Sequence, residues 1–118
     1  MVLDGTPDAR KEGTRRWLRY YLDTQVVARL CDDSEPMRVR GRAHNISQGG
    51  MAAFLPAEFE EGDTIEVQVM LPYWNRSLKV KATVQYRRMY MYGLEFKDIT
   101  AEQQWVIERC CRSLALIQ

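Results

Sequence analysis

The chain has 118 residues, 46% hydrophobic and 28% charged, which is the size and balance of one globular domain able to bury roughly two-thirds of its unfolded surface. With 17 Lys and Arg against 16 Asp and Glu the net charge is only +1, so bulk electrostatics do not announce a nucleic-acid or membrane binder and any anion site must arise from local clustering. A single histidine, His44, excludes multi-histidine metal sites, and no apolar run is long enough to span a membrane.

Residues 1–10 are polar, contain Gly5 and Pro7, carry no apolar leader core and read as a flexible N-terminal arm of a cytoplasmic chain. The following stretch, Lys11 to Arg19, is strongly basic: Arg15, Arg16 and Arg19 surround Trp17 and Leu18, so charge is combined with apolar anchors. Standing alone, this cluster describes a solvated basic arm or a short helix with Arg15 and Arg19 one turn apart.

From Asp23 the pattern changes to period two. Val26, Ala28 and Leu30 fall on one face, and Asp32 to Pro36 reads as the turn of a hairpin. The returning strand, Met37 to Asn45, sets Val39, Gly41 and Ala43 against Arg38, Arg40, Arg42 and His44, an arginine row that fits an exposed sheet face. Ile46 has the wrong parity to join Val39 and Ala43, so a bulge near Asn45 or the end of the strand is expected there; a bulge would re-aim Asn45 and Ser47 together. Asn45-Ile46-Ser47-Gln48-Gly49-Gly50 then forms a turn presenting an amide, a hydroxyl and free N–H groups in a small space.

Met51 to Leu55 is a short apolar strand stopped by Pro56, and the acidic connection Glu58 to Asp63 turns at Gly62. Thr64 to Leu71 alternates, with Ile65, Val67, Val69 and Leu71 inward. Ser77 to Arg87 alternates again, with Leu78, Val80, Ala82, Val84 and Tyr86 on one side, and Tyr90 to Phe96 pairs back through Arg87-Arg88-Met89. The last element is helical over 101–117: Thr100 caps it with Gln103 as capping-box partner, and Val106, Ile107, Cys110, Cys111, Leu114 and Ile117 make one apolar stripe. The adjacent Cys110 and Cys111 on that stripe read as buried reduced thiols, and Cys31 completes an odd set without metal-like spacing. Together these elements predict an all-β protein with one C-terminal helix: a six-stranded antiparallel β-barrel whose open end the helix is placed to plug.

Two motifs on this pattern resemble the PilZ domain family, bacterial receptors for cyclic di-GMP. The R-x-x-x-R element corresponds to Arg15-Arg16-Trp17-Leu18-Arg19, and the [D/N]-x-S-x-x-G element to Asn45 through Gly50. Gly62-Asp63, the strand Lys79 to Val84, and Gly93-Leu94-Glu95-Phe96 before a terminal helix extend the likeness, so it covers Lys11 to the last residue, with 11–20 as the nucleotide-binding arm of an 11–118 domain.

The resemblance implies that Arg15 and Arg19 clasp the guanine edge and phosphates of cyclic di-GMP, with Arg16 assisting or stacking. Asn45 would meet the Watson–Crick edge, Ser47 would add a hydroxyl contact, and Gly49 and Gly50 would let backbone approach the ligand. A guanidinium can offer two parallel donors to O6 and N7 or stack on the purine, which lysine cannot do. The family often has Asp where Asn45 stands, and Thr14 stands where some relatives carry a further arginine that helps hold a stacked nucleotide dimer.

The implied function is a signalling module, monomer or homodimer. It needs no cofactor and no metal, and it orders its arginine arm on the nucleotide and acts on a protein effector of motility, pilus or exopolysaccharide machinery. Two alternatives compete: a nucleotide-independent adaptor of the same family, or a barrel binding single-stranded nucleic acid through Arg38, Arg40 and Arg42 with Tyr86, Tyr90 or Tyr92 stacking bases. An enzyme is not supported, since Glu58, Glu60, Glu61 and Asp63 lie together in one solvated connection and no Ser or Cys has a base partner.

Overall fold

A computed structural model describes residues 17–31, 37–72 and 76–117. The N-terminal arm 1–10, Arg15, Arg16 and the turn expected at Asp32 to Pro36 lie outside the described residues. Six strands are present: β1 (Tyr20–Leu30), β2 (Val39–Ile46), β3 (Gly50–Phe54), β4 (Thr64–Leu71), β5 (Arg76–Arg88) and β6 (Met91–Lys97), followed by one helix, α1 (Ala101–Arg112). They close into an antiparallel barrel in the order β1-β2-β3-β6-β5-β4. Sequential neighbours form two three-stranded meanders, and the pairs β1–β4 and β3–β6 join them into a wall without free edges.

The period-two residues line the interior as predicted. Val26, Ile65, Val67, Val69 and Ala82 are fully buried, and Leu78, Val80 and Val84 nearly so. The arginines Arg38, Arg40 and Arg42 face outward. Tyr86 departs from this pattern. The β5–β6 register slips between Val84 and Tyr86, which turns Tyr86 outward to lie across Gly93, where an added Cβ would sit 2.0 Å from its ring. At this far end Tyr92 is fully buried, donates its hydroxyl to the Ala57 carbonyl and accepts from the Phe59 N–H at 2.9 Å, sealing the barrel beneath the 55–63 connection.

The expected bulge is present at the end of β2. Ala43 and Asn45 pair with the consecutive Ala53 and Ala52, so His44 is the extra residue, and Ala43 and Ile46 both point inward although three positions separate them. β1 starts at Tyr20 rather than Asp23, because Tyr20 and Tyr21 continue the ladder to Ile46 and Asn45 on the other side of this irregularity.

Helix α1 lies across the end of the barrel where β1 and β3 begin. Thr100 Oγ1 accepts from the Gln103 N–H at 3.1 Å and Gln103 Oε1 accepts from the Thr100 N–H at 2.9 Å, a complete capping box. The same Gln103 amide donates to the Lys79 carbonyl at 2.8 Å and so fixes the helix start on β5. Val106, Ile107, Cys110 and Cys111 are buried against the core.

The helix stops at Arg112, not 117. Ser113 turns its hydroxyl back to the carbonyls of Arg109 and Cys110. The chain then runs extended beside β1: Tyr21 N–H donates to the Ala115 carbonyl at 2.8 Å, and Ile117 N–H to the Arg19 carbonyl at 2.9 Å. Leu114 closes the helix end by donating its N–H to the Cys111 carbonyl at 3.2 Å, and residues 115–117 form a short strand-like segment bridged to Tyr20 at Leu116, beside the part of β1 that β4 does not pair.

Burial pushes the Cys110 thiol above its ordinary range, and burial together with Cys110 and Glu108 pushes Cys111 up to about 12. Since that folded value exceeds the ordinary 9.0, the contribution to stability is complete below pH 9.0 and is lost as pH rises toward 12. At pH 8 an aromatic disulfide reagent should titrate the half-buried Cys31 in the native protein, with Cys110 and Cys111 reacting only after unfolding. Rapid native reaction of all three cysteines would contradict this packing.

Candidate functional site

The bulge sets Asn45 at the helix-capped end of the barrel, half-buried and opposite Tyr21 of β1. Two residues before Tyr21, Arg19 sends its Nη1 to Asn45 Oδ1 at 2.9 Å across a separation of 26 positions. The second arginine of the arm and the first residue of the glycine-ended turn are thus in direct contact. Arg19 is held from its backbone as well, because its carbonyl accepts from Ile117.

Ser47 has a different place from the one its residue type implies. It is 3% exposed, and its Oγ accepts from the Gly49 and Gly50 N–H groups at 3.2 and 3.1 Å while donating to the Gly50 carbonyl at 3.3 Å. Ser47 N–H also donates to the Gly50 carbonyl at 2.8 Å. The serine therefore builds the turn, and in this arrangement the Gly49 and Gly50 N–H groups point at its hydroxyl.

The two glycines are required for different reasons. A Cβ on Gly50 would lie 2.1 Å from the Leu94 carbonyl oxygen, so β6 approaches too closely for any side chain. At Gly49 the added Cβ would meet Trp17, 2.4 Å from Cδ1 and 2.5 Å from Nε1. Gln48, between Ser47 and Gly49, accepts at Oε1 from the Gln104 amide of α1 at 3.2 Å.

Of the residues singled out from the sequence, the structure brings Arg19, Asn45, Ser47, Gly49 and Gly50 together; Arg15 and Arg16 lie outside the described residues. Sequence reasoning missed the seat of Trp17, the Gln48–Gln104 link and the 115–117 strand. The only signal for the first was the tryptophan inside the arginine cluster. Among the described residues no group of three or more His, Cys, Asp or Glu could hold a metal ion, and no helix is long and apolar enough to cross a membrane.

A small closed antiparallel barrel, capped by one helix and carrying an arginine against an Asn-x-Ser-x-x-Gly turn, is the class of domain that the described residues define. The PilZ domain model matches residues 13–113, and the chain belongs to that family. No curated protein matches the chain.

Among solved structures, the PilZ domain of YcgR from Escherichia coli with c-di-GMP is similar at a TM-score of 0.69 and 21% identity, covering 85% of this chain and 90% of that one. The PilZ domain of CeSA from a cellulose-synthesizing bacterium gives 0.65 and 18%, covering 80% and 95%. The Bacillus subtilis inhibitor of motility MotI/DgrA gives 0.67 and 23%, covering 84% of this chain and 49% of that protein. At these identities the likeness is one of fold.

Because the Ser47 hydroxyl satisfies two N–H groups inside a buried turn, Ser47→Ala should lower unfolding free energy by about 1–3 kcal/mol in urea titrations. An unchanged midpoint would remove Ser47 from its building role.

Proposed function

We propose that the chain is a cyclic di-GMP receptor module, without catalysis of its own, acting in the bacterial cytoplasm. The observation that carries this reading is the Arg19–Asn45 hydrogen bond, which joins the arm motif to the turn motif. Membership of the family and the c-di-GMP complex of the similar YcgR domain support it.

The chemistry follows from donors and acceptors. Asn45 Oδ1 has two lone pairs; Arg19 takes one, and the other suits the N1–H or N2–H of a guanine edge. The remaining guanidinium donors of Arg19 then face the purine O6 and N7 acceptors or a phosphate. Arg15 and Arg16 close over the second side of a dianionic ligand, which orders the arm on the barrel. Ser47 and Gly50 act indirectly by holding the turn, and Gly49 by leaving room above it. A protein effector reads the resulting surface; motility, pilus and exopolysaccharide machinery are the candidates.

The single-stranded nucleic-acid reading loses support. Tyr92 is fully buried and unable to stack a base, and Arg42 is paired with Asp23 at 2.8 Å, which leaves Tyr86 and Tyr90 as the exposed rings and reduces the platform such binding uses.

Calorimetric titration with cyclic di-GMP should show binding by the unaltered protein, a loss of an order of magnitude or more in affinity for Arg19→Ala, and a further loss when Arg15→Ala is added. The nucleotide should also raise the melting temperature in a concentration-dependent way. Equal heats for the unaltered and doubly substituted proteins would sink the proposal.

A further inference from the structure

Gly49 has no backbone reason to be glycine. Among the described glycines only Gly62 has a positive φ, so an L-residue fits the Gly49 conformation without strain. What excludes a side chain there is the pyrrole edge of Trp17, with Cδ1 and Nε1 where a Cβ would stand. Nothing in the backbone crowds this position, unlike Gly50, whose neighbour is the Leu94 carbonyl.

Trp17 keeps 37% of its surface exposed, so burial alone does not account for its seat. It lies two residues before Arg19, with Leu18, 62% exposed, between them. The arm therefore touches the turn twice, Trp17 on Gly49 and Arg19 on Asn45, at the two ends of one hairpin corner closed by Ser47. With the Ile117 N–H bond to the Arg19 carbonyl, these two contacts fix the direction of residues 17–19.

We infer that Trp17 is a positioning residue for the nucleotide site: its seat on the bare Gly49 sets the course of residues 17–19 so that Arg19 meets Asn45. A ligand held by an Arg19–Asn45 pair that is already set loses less entropy on binding, which raises affinity. This rests on the receptor reading above and adds to it a residue that neither arginine spacing nor the Asn-x-Ser-x-x-Gly pattern contains.

Gly49→Ala is the incisive variant, since the clash it creates is with the Trp17 side chain and not with the backbone of the barrel. In a Trp74→Phe, Trp105→Phe background, Gly49→Ala should red-shift Trp17 emission without ligand while the melting temperature stays within a few degrees of the parent's. Calorimetry with cyclic di-GMP should show Gly49→Ala and Trp17→Ala each weakening binding about tenfold, and the double variant no weaker than Trp17→Ala alone, because both remove one contact. Trp17→Phe should recover part of the loss.

Unshifted emission, parent-like binding by either single variant, or additive losses in the double variant would each overturn the inference. Failure of the unaltered protein to bind cyclic di-GMP would instead overturn the receptor reading; the emission shift still decides whether the seat exists.

Discussion

One surplus residue in β2 governs the functional end of this barrel. With His44 out of step, the strand turns Ala43 and Ile46 inward while Asn45 is left at the rim beside the start of β1. An unbroken strand would have carried Ile46 to the solvent face, at the cost of a fully buried aliphatic side chain, so the core itself enforces the irregularity. Ser47 then converts the local reversal into a rigid corner by engaging both glycine N–H groups. Hydrophobic burial chooses the position of the corner, and hydrogen bonding chooses its shape.

The two ends of the barrel are used differently. Tyr92 and the 55–63 connection close one end with a buried hydroxyl whose partners are backbone groups. At the other end α1 covers the core, and the rim carries the arginine, the asparagine and the glycine-ended corner. The segment after α1 completes the wall there, pairing with Arg19 to Tyr21 where β4 has ended. Closure of the sheet and construction of the site are therefore one event at this end.

Much of this was legible in the amino-acid pattern. The strict alternation in β4 and most of β5 needs only period-two burial, and the Thr100–Gln103 capping box is a local signal that fixed the helix start. The parity error at Ile46 announced the bulge. What was not legible depended on contacts remote in sequence. Leu114 and Ile117 continue the helical stripe, yet Ser113 diverts the chain, and an open length of β1 offers Ala115 and Ile117 backbone bonds that no local pattern encodes. Tyr86 shares the parity of the inward residues of β5 yet turns outward, because the slip beside it answers to Gly93 on the partner strand. Ser47 carried a motif role in the sequence and a building role in the structure; its residue type suits both, and only burial separates them.

Helix α1 is strapped to both halves of the rim. Near its start Gln104 grips Gln48 of the corner, and just past its end the 115–117 strand grips the root of the arm at Arg19. Such a crossbar cannot tilt or slide without loosening one strap or the other. The same helix that ties the arm to the corner presents on its exposed side Trp105, with the Arg109 guanidinium 5.1 Å from its ring.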